Sequence, residues 1–147
     1  MSKFRQFFSL SLRDRALFSE AALRLGIACL SVKLMPLRWV LRGLRVHGGN
    51  EPREELSPAQ LELSRRIRWS IRVAARHMPW RAVCLQQSLT AKAMLSSRGI
   101  PAVLYFGVRK SADVTHSLQA HAWVCAGQVE VTPRQAQGDF TVTAMLG

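Results

Sequence analysis

The sequence predicts an α+β domain, and three observations carry that prediction. Helix-start and helix-stop signals punctuate the first two-thirds of the chain, the apolar period turns from helical to strand-like after Gly99, and no repeat or biased segment interrupts the order. At 147 residues, with 48% apolar and 20% charged side chains, the chain has the makeup of one globular domain.

Ser11 followed by Asp14 reads as an N-cap with an acid at the third helical position, and the helix formers of Ala16 to Leu34 continue it without a proline. Met35-Pro36 interrupts. Leu37, Val40, Leu41 and Leu44 then recur at helical spacing, with Arg38, Arg42 and Arg45 on another face, which predicts a short second helix. His47 to Leu56 holds Gly48, Gly49, Asn50 and Pro52, a hinge within one domain that separates a helical N-terminal region, 1–56, from a core, 57–147. Ser57-Pro58-Ala59-Gln60 is a capping box with proline at the first helical position, so a third helix is expected from Pro58 to His77, ending before Pro79. A fourth should run from Cys84 to Arg98 with Gly99 as its C-terminal cap. Ala102 to Val108, Leu118 to Cys125, Gln128 to Thr132 and Phe140 to Met145 read as strands, the middle two joined by a tight turn at Ala126-Gly127.

Charge and cysteine usage narrow the function. Lys and Arg number 21 against 9 Asp and Glu, a net +12, and residues 1–80 hold 15 of the basic and 6 of the acidic groups. Such a balance attracts nucleic acid, anionic membrane or acidic protein without choosing among them. Three cysteines, Cys29, Cys84 and Cys125, form no C-x-x-C pair, which argues against a disulfide framework and a thiolate zinc site and for a reducing cytoplasm. His77 and His116 show no ligand spacing with any cysteine, so neither metal nor cofactor is expected. The apolar run Leu25 to Val32 falls short of the roughly 18–20 residues that a membrane span requires. Gln6 to Leu12 is cut short by Arg13, Asp14 and Arg15, unlike a secretory signal.

The chemistry concentrates in two places. Cys84 opens a predicted helix just after Pro79-Trp80-Arg81, and a helix N-terminus with a nearby guanidinium favours a negatively charged sulfur, so Cys84 is placed to act as a nucleophile. His121 lies in Ala120-His121-Ala122-Trp123-Val124, where strand alternation puts His121, Trp123 and Cys125 on one face. A cysteine at a helix start and a histidine on a later strand are what a thiol nucleophile and its base require. Counting outward from a turn at Ala126-Gly127 pairs Trp123 with Glu130 and His121 with Thr132. Glu130 then becomes the best carboxylate to orient His121, with Thr132 a weaker hydroxyl alternative. The backbone N–H of Cys84 is an expected oxyanion donor, and the indole of Trp80 a further candidate.

Four segments in order, Cys84-Leu85-Gln86-Gln87-Ser88-Leu89, Arg98-Gly99-Ile100-Pro101-Ala102-Val103-Leu104, Gly107-Val108-Arg109-Lys110 and Ala120-His121-Ala122-Trp123-Val124, resemble the transglutaminase-like cysteine proteases of lasso-peptide maturation, the leader peptidases of that pathway. The resemblance covers residues 80–147, and the basic helical first half is similar to the N-terminal part of the stand-alone form. It implies a papain/transglutaminase-like core with the cysteine at a helix N-terminus packed on an antiparallel sheet, Cys84 as nucleophile and His121 as base and then acid. The family's third residue is an aspartate, and the matching position falls near Thr132; after Cys84 the acids are Glu130, Asp113 and Asp139. A cysteine–histidine dyad remains workable, since the aspartate chiefly fixes the imidazole's tautomer and orientation.

The same resemblance implies a precursor peptide as substrate, an ATP-dependent lasso cyclase acting next, and a separate leader-recognition protein, because 147 residues leave no room for a fused one. Two other classes compete. One is an inactive scaffold of the maturation complex, favoured by the missing aspartate. The other is a basic nucleic-acid-binding module, disfavoured because only Trp69 lies among Arg65, Arg66, Arg68, Arg72 and Arg76 and no stacking platform accompanies them.

Overall fold

A computed structural model describes residues 8–43, 55–79, 83–110, 118–132 and 141–146. Helix α1 spans Leu12–Leu34, α2 Leu37–Gly43, α3 Pro58–His77 and α4 Cys84–Ser96. Local chemistry sets these limits. Ser11 Oγ accepts a hydrogen bond from the Asp14 backbone N–H at 3.2 Å and caps α1. Met35 ends it in an extended conformation, as the ring of Pro36 demands of the residue before it. The capping box forms at α3: Ser57 Oγ accepts from Gln60 N–H at 3.3 Å and Gln60 Oε1 from Ser57 N–H at 3.0 Å. The last expected turn of α4, Ser97 to Gly99, is a separate turn, with Gly99 at φ +65° as the terminator.

Strands β1 (Val103–Lys110), β2 (Leu118–Ala126), β3 (Val129–Glu130) and β4 (Thr141–Leu146) form one antiparallel sheet in the order β3-β2-β1-β4. This is the mixed helix and antiparallel sheet fold that the sequence predicts. Leu104, Ala122, Val124 and Ala126 turn one sheet face into the core, where they meet Leu89, Met94 and Leu95 of α4. Helices α1 and α3 pack behind α4, which is why α4 is buried on nearly every side and carries no polar stripe.

The hairpin between β2 and β3 departs from expectation. Cys125 pairs with Glu130 and Ala126 with Val129, so the turn is Gly127-Gln128 instead of Ala126-Gly127. A two-residue hairpin turn needs a positive φ at its first central residue, and Gly127, at φ +55°, takes that place without the steric cost Ala126 would bear. β3 also stops after Glu130, two residues earlier than expected.

Among the described residues, two ion pairs fasten α1 to the rest. Arg98 Nη2 holds Glu20 Oε2 at 2.5 Å, and Arg66 Nη2 holds Asp14 Oδ1 at 2.5 Å. Hydrogen bonds from Arg98, joined by Arg24, hold the Glu20 carboxyl below its ordinary pKa, and those from Ser11 and Arg66 do the same for Asp14. A carboxyl whose folded pKa is depressed stabilises the fold above its unfolded pKa and loses that stabilisation as pH falls through the folded value. Glu20→Gln is therefore expected to lower the melting temperature by about 2–4 °C at neutral pH, for a pair worth about 1 kcal/mol. Calorimetry should show the difference vanish once acid has protonated Glu20 in the unmodified chain.

Candidate active site

Cys84 is the first residue of α4 and is half-buried. α1 and α3 begin with serine caps, but Val83 occupies the cap position of α4 and makes no side-chain hydrogen bond to it. An apolar cap costs about 1 kcal/mol relative to serine. In exchange, the first-turn N–H groups are not taken up by a capping side chain, which leaves donors beside Cys84 suited to a negatively charged oxygen.

One turn further on, α4 meets β2. Ser88 Oγ donates to the carbonyl of Ala122 at 3.0 Å, and Ala122 is the residue after His121. Cys84 and Ser88 lie four residues apart on one side of the helix, roughly 6 Å along its axis. Ser88, one turn into α4, thus touches β2 at the residue next to His121. Thr132 completes it: its Oγ1 accepts from Val124 N–H at 2.8 Å and lies 3.0 Å from Ser88 Oγ. Because the Ser88 proton goes to Ala122, the Thr132 hydroxyl donates to Ser88. These two side chains satisfy the edge of β2 where β3 has already ended, and both are buried. The expected pairing of Thr132 with His121 is not made: Thr132 bonds Val124 through both its hydroxyl and its backbone N–H.

His121 is buried, 6% exposed, and its side chain alternates along β2 with those of Ala122 and Val124, which enter the core. Its ring lies 5.8 Å from that of Trp123 at 21° between planes, and Trp123 stacks on Tyr105 at 5.5 Å and 8°. Tyr105 is the direct cross-strand partner of Trp123, so the register of β1 on β2 builds the stack. Trp123 forms a wall against the imidazole plane. Across from His121 stands Gly107, which leaves that position without a side chain.

The register corrects the expectation for Glu130. Its partner is Cys125, not Trp123, which puts it four strand positions, roughly 13 Å, from the level of His121. Glu130 is exposed at the end of β3, beyond the reach of a glutamate to that imidazole. The diagonal contact failed with the turn assignment on which it was built. Glu130→Gln is accordingly expected to change the rate of any reaction at Cys84 by less than about twofold, since surface charges that touch no reacting group act weakly. A tenfold loss in steady-state kinetics would restore its role. Trp80, Asp113, His116 and Asp139 lie outside the described residues.

Ser88 and Tyr105 are the site residues that sequence reasoning passed over. The signal for Ser88 was present: a small polar residue four positions after Cys84, in a helix whose neighbours are apolar. Gln86 adds a further polar group, for its Oε1 is buried and accepts no hydrogen bond from the described residues.

The helix that Cys84 opens packs against the strand that carries His121. The model of the transglutaminase-like superfamily matches residues 31–145, well over half of the chain, and the chain belongs to that superfamily. No curated protein and no solved structure matches it.

Proposed function

We propose that this chain is a cysteine endopeptidase that removes the leader from a ribosomally made lasso-peptide precursor before macrocyclisation. The observation that carries the reading is the junction of α4 and β2, where Ser88 ties the turn that Cys84 opens to the residue next to His121. Membership of a superfamily that includes cysteine proteases supports the reaction class. The four segments quoted above support the substrate.

In this reading the Cys84 sulfur, as thiolate, attacks the scissile carbonyl. The oxygen that becomes negative is met by first-turn N–H groups of α4. His121, carrying the thiol's proton, gives it to the leaving amine as the C–N bond breaks, and a thioester to Cys84 remains. Water, deprotonated by His121, then attacks the thioester, releases the carboxylate and restores the thiol. Gly107 leaves space for a peptide backbone across from the imidazole, and Trp123 holds one side of the ring. A separate leader-recognition protein presents the substrate, and an ATP-dependent cyclase takes the freed core in the cytoplasm.

A second reading, an inactive scaffold of the same complex, is favoured by the threonine at the position of the family's aspartate and by the commitment of its hydroxyl to Ser88. One experiment separates them. Intact-mass spectrometry of a candidate precursor incubated with this chain and a recognition protein should show leader and core fragments together, their masses summing to precursor plus one water. An unchanged precursor, with the recognition protein binding both components, would leave only the scaffold.

A further inference from the structure

We propose that the outward face of α1 is a docking surface for an anionic lipid bilayer, on which the helix lies in the plane of the headgroups. α1 is apolar on two opposite sides. Leu17, Ala21, Leu25 and Ala28 turn inward and are buried. Leu23, Ile27, Leu30 and Leu34 follow one another at steps of four, three and four residues and are 66%, 55%, 58% and 72% exposed. They draw an apolar line about 17 Å long, and Leu12, 79% exposed, lies on the same side beyond Ala16 and Ser19. This second face adds nothing to the core, and exposed apolar surface in one continuous strip marks a site of association.

The charges beside the strip select what covers it. At 100° per residue, Arg13 and Arg24 flank it on one side and Arg15 and Lys33 on the other. The acids of α1, Asp14 and Glu20, are neutralised by Arg66 and by Arg24 and Arg98. α2 continues the pattern: Trp39 is 51% exposed with the guanidinium of Arg42 5.5 Å from its ring. Bulky aliphatics between two cationic rims, with a tryptophan and arginine at the end, form the pattern of a helix lying at a lipid interface. A second copy of the chain, itself at +12, would bring like-charged rims together. Crossing the bilayer is a different matter, because no described helix is long and apolar enough to do so. The surface is independent of the peptidase reading, since none of its residues belongs to the junction of α4 and β2.

The test is co-sedimentation of the purified full chain with vesicles of phosphatidylcholine, with or without about 30% phosphatidylglycerol, at low and high salt. The expected result is binding at least about tenfold tighter to the anionic vesicles, weakened by salt. Leu23→Gln/Ile27→Gln/Leu30→Gln should lose at least about tenfold in binding while keeping its melting temperature and circular dichroism, because all three side chains are exposed. If that variant does not fold, Lys33→Gln/Arg38→Gln/Arg42→Gln serves, and should bind both vesicle types alike. Wild-type chain that fails to sediment with anionic vesicles, or binds both types equally, overturns the proposal. So does an apolar variant that folds and binds as wild type. A sizing column showing an oligomer that the apolar variant dissolves, without vesicle binding, would assign the strip to a second copy. Loss of recognition-protein binding alone would assign it to a protein.

Discussion

Replacement of Cys84 by alanine is expected to lower precursor cleavage by at least about a thousandfold, because removing a nucleophile removes the covalent route and leaves only what binding and oxyanion donors supply. The fold should tolerate the change. Cys84 is half-buried at a helix start, and alanine is a good helix former there. A melting temperature within a few degrees of wild type is the control. Cys84→Ser tests the chemistry further: it keeps a nucleophile of similar shape but a far less acidic one, and should remain close to the alanine variant. Intact-mass measurement supplies an independent readout, since a thioester adduct with the leader is expected on the wild-type chain at short times and on neither variant. Equal cleavage by wild type and Cys84→Ala would remove Cys84 from the chemistry, and no cleavage by either would leave the scaffold reading in possession.

His121→Gln is expected to slow the same reaction by about 10²–10⁴-fold, the range that a positioned general acid–base contributes. Glutamine keeps a polar, hydrogen-bonding side chain at a buried position, so a collapse of the stack on Trp123 is not the intended effect. Near-ultraviolet circular dichroism of the Tyr105–Trp123 pair reports whether it stays packed. The decisive feature lies in how the loss divides between steps. A base that serves both attack and hydrolysis should slow acylation and deacylation together, so the adduct on Cys84 appears late and also decays late. A histidine that merely filled space would cost stability and leave the per-molecule rate intact. Trp123→Leu, by comparison, removes the wall and not the base, and its smaller effect should fall on orientation.

The helices were the most legible part of the molecule. Ser11, the Ser57–Gln60 box, the two prolines that end α1 and α3, and Gly99 all act within a few residues of their own position, so the chain declares them locally. The placement of Cys84 at the start of α4 was equally open to reading, because Pro79 and the helix formers after Cys84 set it without reference to the sheet. The alternation of β2 assigned His121 and Trp123 to one face for the same reason. What misled was the turn. Ala126-Gly127 and Gly127-Gln128 fit the apolar pattern alike, and only the backbone demand at the first turn residue separates them; that one-residue step moved Glu130 from opposite Trp123 to opposite Cys125.

The sequence alone therefore determined the class of fold, the order of its elements and the positions of the two residues proposed for a thiol reaction. The tertiary structure decided which groups meet. It closed Ser88 and Thr132 over the bare edge of β2, stacked Tyr105, Trp123 and His121 across two strands, and chose which apolar side of α1 to bury. Both sides of that helix carry enough leucine to serve as core, and no local rule distinguishes them. The difference arises from contacts between residues far apart in the chain, whose packing has to be satisfied all at once.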